Sequence, residues 1–188
     1  MIWTEKYRPE TLDDLIGQPS KVINPIKNWA SKWKEKTPKN KGLLIAGKTG
    51  VGKTTAAKAI SKEFNFNLVE LNAGDVRTYK GIMNNVKEAS NSLDVMGNRN
   101  LILFDEVDEL DRGGSRAVTE LLKKSKNPIV MTAKNKWEVS SGIRNNSKNI
   151  TLWKVRKGSI RKHLRGIAKK EGIDITNDQL NEIAEKSN

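Results

Sequence analysis

Residues 47–54 read GKTGVGKT, a complete G-x-x-x-x-G-K-[ST] pattern. The pattern constrains the fold because it works only where a buried strand turns sharply into a helix. Both flanks comply. Gly42 to Ala46 is a short apolar run that reads as a strand. After the loop, Ala56, Ile60 and Phe64 fall on one helical face. Gly47, Gly50 and Gly52 allow a tight turn whose N–H groups point inward, toward phosphate oxygens. Lys53 carries charge to the outer phosphates, and the Thr54 hydroxyl is placed for Mg2+. The candidate nucleotide cradle therefore runs through Gly47, Lys48, Thr49, Gly50, Val51, Gly52, Lys53, Thr54 and Thr55. The helix start near Gly52 adds its positive end.

A phosphate loop alone binds nucleotide. Hydrolysis also needs a carboxylate for the metal and a group that orients water. The run LILFDE at 101–106 offers both at the carboxyl end of an apolar strand. Asp105 is the metal candidate and Glu106 the group that polarises water. Asp108, Glu109 and Asp111 read as solvated. A polar residue following a strand between these two, at Lys134 or Asn135 after PIVMTA, is the candidate contact to the terminal phosphate.

Strands alternate with helical patterns along most of the chain. The apolar runs are 43–46, 67–72, 101–104, 128–132 and 150–153. The helical patterns are 19–36, 52–64, 77–91 and 115–125. That alternation implies an α/β fold with a parallel sheet and right-handed crossovers. After residue 155 the strands stop. Ile160, Leu164 and Ile167 mark one helix, ended by Gly172, and TNDQ at 176–179 is a capping box for another. Residues 1–155 are thus expected to form the α/β unit, and 156–188 a small helical one.

Composition narrows the chemistry. Among 188 residues there is no cysteine and one histidine, His163, which excludes disulfides and multi-histidine metal sites. No apolar run approaches the ~18 residues needed to span a membrane, and no secretory stretch opens the sequence. An intracellular, cytoplasmic setting is expected. The net charge of +13 fits either an acidic partner such as nucleic acid or a solvated lysine surface, and residues 151–170, with eight basic residues and no acid, read as an interaction surface or a solvated helix face.

Four further stretches carry a resemblance. WTEKYRP at 3–9, followed by DDLIGQ at 13–18, resembles the opening of clamp-loader ATPases of the AAA+ family. With LNAGDVRTY at 71–79 and WEV at 137–139, the chain resembles archaeal replication factor C large subunits along essentially its whole length. The resemblance implies a RecA-like AAA+ domain followed by a helical lid. It implies an ATPase that opens a ring-shaped sliding clamp and loads it on primer-template DNA, together with small subunits. It also implies an adenine pocket lined by Tyr7, Arg8, Pro9, Ile16 and Gly17. Contacts to DNA phosphates are expected at Arg77 and Lys80, and at Arg112 and Arg116 in the turn after Glu106. Contact with the clamp is expected around Leu93, Val95 and Met96.

Some positions depart from the family pattern. Its sensor asparagine aligns with Lys134, one place before Asn135. The stretch RNNSK at 144–148 lacks the Ser-Arg-Cys triplet of small subunits, which suits a large subunit that receives an arginine finger without donating one. A third lid helix with a second sensor arginine is implied beyond residue 188, so a truncated chain or part of a split subunit is expected. Leu180, Ile183 and Ala184 would then lack part of their packing. Two other functions stay open: a nucleotide-gated structural subunit with little turnover, and a different DNA-linked AAA+ ATPase such as a helicase loader.

Overall fold

A computed structural model describes residues 2–93 and 97–187. Five strands, β1 (Gly42–Ala46), β2 (Asn67–Asn72), β3 (Asn100–Asp105), β4 (Ile129–Ala133) and β5 (Ser147–Thr151), form one sheet in the order β2-β3-β4-β1-β5. All pairings are parallel. Side chains alternate between its faces, as the pleat requires. Leu43, Ile45, Leu101, Leu103 and Val130 point to one side, where α2 (Ser20–Glu35) and α3 (Lys53–Phe64) cover them. Leu44, Ile102, Phe104, Ile129 and Met131 point to the other, against α4 (Tyr79–Val86), α5 (Arg112–Lys124) and α6 (Ser141–Asn145). Continuous apolar runs are what a strand buried on both faces demands.

The chain opens with a single helical turn, α1 (Trp3–Lys6), and a 3-10 turn at Leu12–Asp14 capped reciprocally by Thr11 and Asp14. It closes with α7 (Lys157–Glu171) and α8 (Asn177–Lys186). Gly172 ends α7 in the left-handed region, and Thr176 with Gln179 forms the capping box that starts α8. Leu180 and Ala184 are buried, while Ile183 stays 42% exposed.

Several boundaries differ from the sequence expectation. The last strand is Ser147–Thr151 rather than 150–153, because pairing with β1 sets its register from Gly42↔Ser147 to Ala46↔Thr151. α4 ends at Val86, short of 91, and the chain then turns so that Asn127 and Asn100 cap the carbonyls of Ala89 and Ser92. Residues 112–116 form the first turn of α5 rather than a glycine turn. The Asp111 carboxylate accepts the Gly114 N–H at 2.6 Å and starts the helix there. Gly114 is required at that point: a Cβ would lie 2.1 Å from the Arg77 carbonyl. Val95 and Met96, expected near a clamp contact, lie outside the described residues, and Leu93 is 54% exposed.

Candidate active site

The loop 47–52 leaves the carboxyl end of β1 and enters α3 at Lys53. Gly50 and Gly52 have φ of 80° and 94°, the conformation that glycine adopts without cost. Val51 is buried and anchors the loop to the core below. Thr49 is exposed at the tip, and Thr55 is half-buried in the first turn of α3. Lys53 folds back along the loop and donates to the carbonyls of Gly47 and Lys48, at 2.9 and 3.1 Å. Burial holds its ammonium below the ordinary lysine pKa, against the opposing pull of Asp105, Asp108 and Glu106. A half-buried cation satisfied only by carbonyls is well matched to an incoming polyphosphate.

The strand order brings the second half of the site alongside. β4 lies between β1 and β3, and β3 pairs with it through Phe104↔Met131. The next step along that register sets Asp105 beside Thr132. The Thr54 hydroxyl lies 3.1 and 3.0 Å from the two Asp105 carboxylate oxygens, bridging α3 and β3. The Thr132 hydroxyl donates to Asp105 Oδ1 and accepts the Glu106 N–H at 3.0 Å. Thr132 is wholly buried. Sequence reasoning missed it, although a lone hydroxyl in an otherwise apolar strand was the available signal.

Glu106 stands in the left-handed region, with φ 59° and ψ 48°, which costs a non-glycine residue roughly 1–2 kcal/mol. The Thr132 bond to its N–H helps to hold it there. Its carboxylate lies 3.5 Å from Lys134 Nζ, and that ammonium makes a closer pair with Glu109 at 2.8 Å. The Lys134 N–H donates to Asp108 at 2.9 Å. Glu109 and Glu106 accordingly raise the Lys134 pKa, and Lys134 lowers that of Glu109. Asp108 and Glu109 are therefore structural partners of the site rather than solvated bystanders, whereas Asp111 is exposed, as expected, and caps α5. Asn135 is turned along its own loop, bonding Glu138 at 2.9 Å and accepting the Trp137 N–H at 3.1 Å.

Beyond the loop lies a cavity of about 580 Å3, walled by Tyr7, Leu15, Ile16 and Gly17 on one side and by His163, Ile167 and other α7 residues on the other. A Cβ on Gly52 would sit 3.8 Å from Leu15, so the cavity wall adjoins the loop. The Tyr7 hydroxyl donates to Glu171 at 2.6 Å, and Lys6 pairs with the same carboxylate. Gln18 exchanges two hydrogen bonds with the Trp153 main chain. Arg8 is paired with Glu5, and neither Arg8 nor Pro9 lines the cavity. Burial, then the charge of Lys170, depress the His163 pKa.

The basic residues singled out in the sequence separate. Lys162 and Lys170 line the cavity. Lys157, Arg161 and Arg165 reach Glu185, Asn181 and Asn177 on α8. Arg77 donates to the Gly74 carbonyl and lies 3.8 Å from Glu109, and Lys80 is in the first turn of α4. Arg112 and Arg116 line a groove along α5, where Arg116 lies over the Tyr79 ring.

A phosphate loop at the carboxyl edge of a parallel sheet, facing an Asp-Glu pair two strands away, defines a phosphate-loop ATPase. Residues 43–151 match the ATPase family associated with various cellular activities, AAA, and the chain belongs to that family. Over 99% of its length it is 38% identical to the replication factor C large subunit of Thermococcus kodakarensis, covering 37% of that protein. It is 37% identical to the large subunits of Pyrococcus horikoshii and Haloarcula marismortui, covering 40% and 37% of them. The chain thus spans well under half the length of these relatives. In fold it is similar to the Thermotoga maritima RuvB Holliday junction branch migration motor, with a TM-score of 0.78 at 20% identity. That match covers 95% of this chain and 59% of RuvB.

Proposed function

We propose that this chain is the ATP-hydrolysing part of a sliding-clamp loader large subunit, working with small subunits, a ring-shaped clamp and primer-template DNA inside the cell. The observation that carries the ATPase reading is the Thr54–Asp105–Thr132–Glu106 chain of contacts beside the phosphate loop. The clamp-loader reading rests on the likeness to replication factor C large subunits along 99% of the chain. In this reading Lys53 and the loop N–H groups bind the triphosphate. The cavity beside Tyr7, Ile16 and Gly17 takes the adenine. Thr54 and Asp105 offer the paired hard oxygens that suit Mg2+, which would neutralise charge on the phosphates. Glu106 orients the attacking water. An arginine from a neighbouring subunit completes the site. Residues 1–155 act as the nucleotide domain and 156–188 as part of its lid.

One observation favours a second reading, in which the nucleotide gates assembly with little turnover. Lys134 draws charge from Glu106 and Glu109 where the family pattern has a neutral asparagine. Turnover of the chain reconstituted with small subunits, clamp and primed DNA separates the two, provided the small-subunit sites are silenced. The motor reading expects Glu106→Gln to lower turnover by about 10²-fold or more. Equal rates would establish the gating reading instead. Vigorous hydrolysis by the isolated chain would refute a site completed in trans.

A further inference from the structure

At the opposite end of the sheet from the phosphate loop, where β1 and β5 begin, lies a second cavity of about 600 Å3. Lys32 and Lys36 from the end of α2, Lys39 from the following loop and Lys148 from β5 line it, over the buried indole of Trp29. Glu35 is the one acid in the wall. None of the four lysines takes part in an ion pair among the described residues, so the cluster's charge is not neutralised by a carboxylate.

Ordinary structural reasons account for part of this cluster. Lys32 and Lys36 complement the negative end of α2. Lys39 and Lys148 have no such reason, yet they converge on the same cavity from a loop and a strand. Lys148 is half-buried, and burial with the neighbouring charge of Lys32 pulls its pKa below the ordinary lysine value. Lys32, Lys36 and Lys39 are exposed, and an anion shared among the four ammonium groups would offset both the burial of Lys148 and their mutual repulsion. The cavity volume falls in the range of small-ligand sites. Ammonium groups on flexible stems suit a multivalent anion whose charge is spread over several oxygens.

We propose that the cavity formed by Lys32, Lys36, Lys39 and Lys148 is a second anion site that takes a multivalent phosphate group, distinct from the phosphate loop. It lies roughly 17 Å away along β1, five residues at about 3.3 Å each. The phosphate reaches it from a free oligophosphate or from the backbone of a nucleic-acid strand; the chain's net charge of +13 favours the strand.

Amide-resolved NMR titration of the chain with tripolyphosphate tests this, because it reports residues 29–40 and 147–149 separately from 47–55. Saturable shifts are expected at both places. In Lys32→Met/Lys148→Met, which keeps the aliphatic stems, affinity at the second site should fall about tenfold or more while the phosphate-loop shifts persist. Lys36→Met/Lys39→Met, at exposed positions, should do the same if the first pair perturbs the fold. A short oligothymidylate that shifts the same amides and is displaced by tripolyphosphate identifies a strand backbone, and its salt slope should lose about one unit per lysine removed. Response to tripolyphosphate alone identifies a free oligophosphate. Absence of saturable shifts at 29–40 overturns the proposal. So do shifts indifferent to both double variants, or tighter binding of an oligoglutamate.

Discussion

Replacing Thr132 by valine tests whether a single buried hydroxyl organises the hydrolytic corner. The side chain is wholly buried, so valine preserves volume and removes only the oxygen. Two bonds go with it: the donation to Asp105 Oδ1 and the acceptance of the Glu106 N–H. Asp105 keeps Thr54 and is partly exposed, so water can replace much of its loss. The Glu106 N–H makes no other hydrogen bond among the described residues, and leaving this part-buried donor unsatisfied costs about 1–3 kcal/mol. We take about 3 kcal/mol for the pair. For a chain of this length that lowers Tm by about 6–12 °C. Thr132→Ser keeps both bonds and gives up one methyl, about 1 kcal/mol. Thermal unfolding by circular dichroism, with turnover measured on the reconstituted complex, reads both variants. Valine should unfold earlier than serine and lose turnover, because the side-chain bond that helps to hold the Glu106 N–H in its left-handed conformation is gone. If serine proves the costlier change, or valine leaves Tm within about 2 °C and turnover intact, methyl packing decides the site and the reasoning fails.

Three other outcomes follow from the geometry. The His163 pKa is depressed, so below its ordinary value of 6.5 the unfolded chain takes up a proton that the folded chain resists; stability should decline as pH falls below 6.5. The slope of the urea midpoint between about pH 5 and 6.5 should flatten in His163→Gln. The Glu171 carboxyl is depressed by its bonds to Lys6 and Tyr7. The stabilisation it brings is therefore present above 4.5 and lost as pH falls through its folded value, and hydrogen exchange in residues 3–8 should quicken there, in the wild type and not in Glu171→Gln. Exchange at 176–186 should be faster than in β3. Ile183 is exposed and α8 packs against α7, whereas β3 is buried on both faces. Equal protection would show that α8 is as firmly held as the sheet.

The sheet was legible because each central strand is apolar on both faces, a pattern that few other structures tolerate. The phosphate loop and the Asp105-Glu106 pair were legible because local spacing fixes their chemistry. Thr132 was not, since its role exists only when β4 lies beside β3 in one register. The partners of Asp108 and Glu109 escaped for the same reason: Lys134 and Arg77 reach them from other elements. The shift of β5 to Ser147–Thr151 reflects pairing with β1 overriding the apolar run at 150–153. Glu171 meets Tyr7 across 164 residues, a contact that no window along the sequence can contain.

That last contact bears on how the protein is made. The walls of the cavity beside the phosphate loop come from residues 7–18 and 159–170, the two ends of the chain. The sheet and its phosphate loop are complete by Leu152, whose buried side chain and N–H bond to Ala46 close their core, so they leave the ribosome ahead of α7. At about 5–20 residues per second, the interval between completing β5 and closing the cavity with Glu171 is on the order of one to a few seconds. During that interval the nascent chain carries the loop at 47–52 without the cavity beside it. Under the proposed reading, affinity then resides in the phosphates alone, and the base is recognised only once α7 has docked.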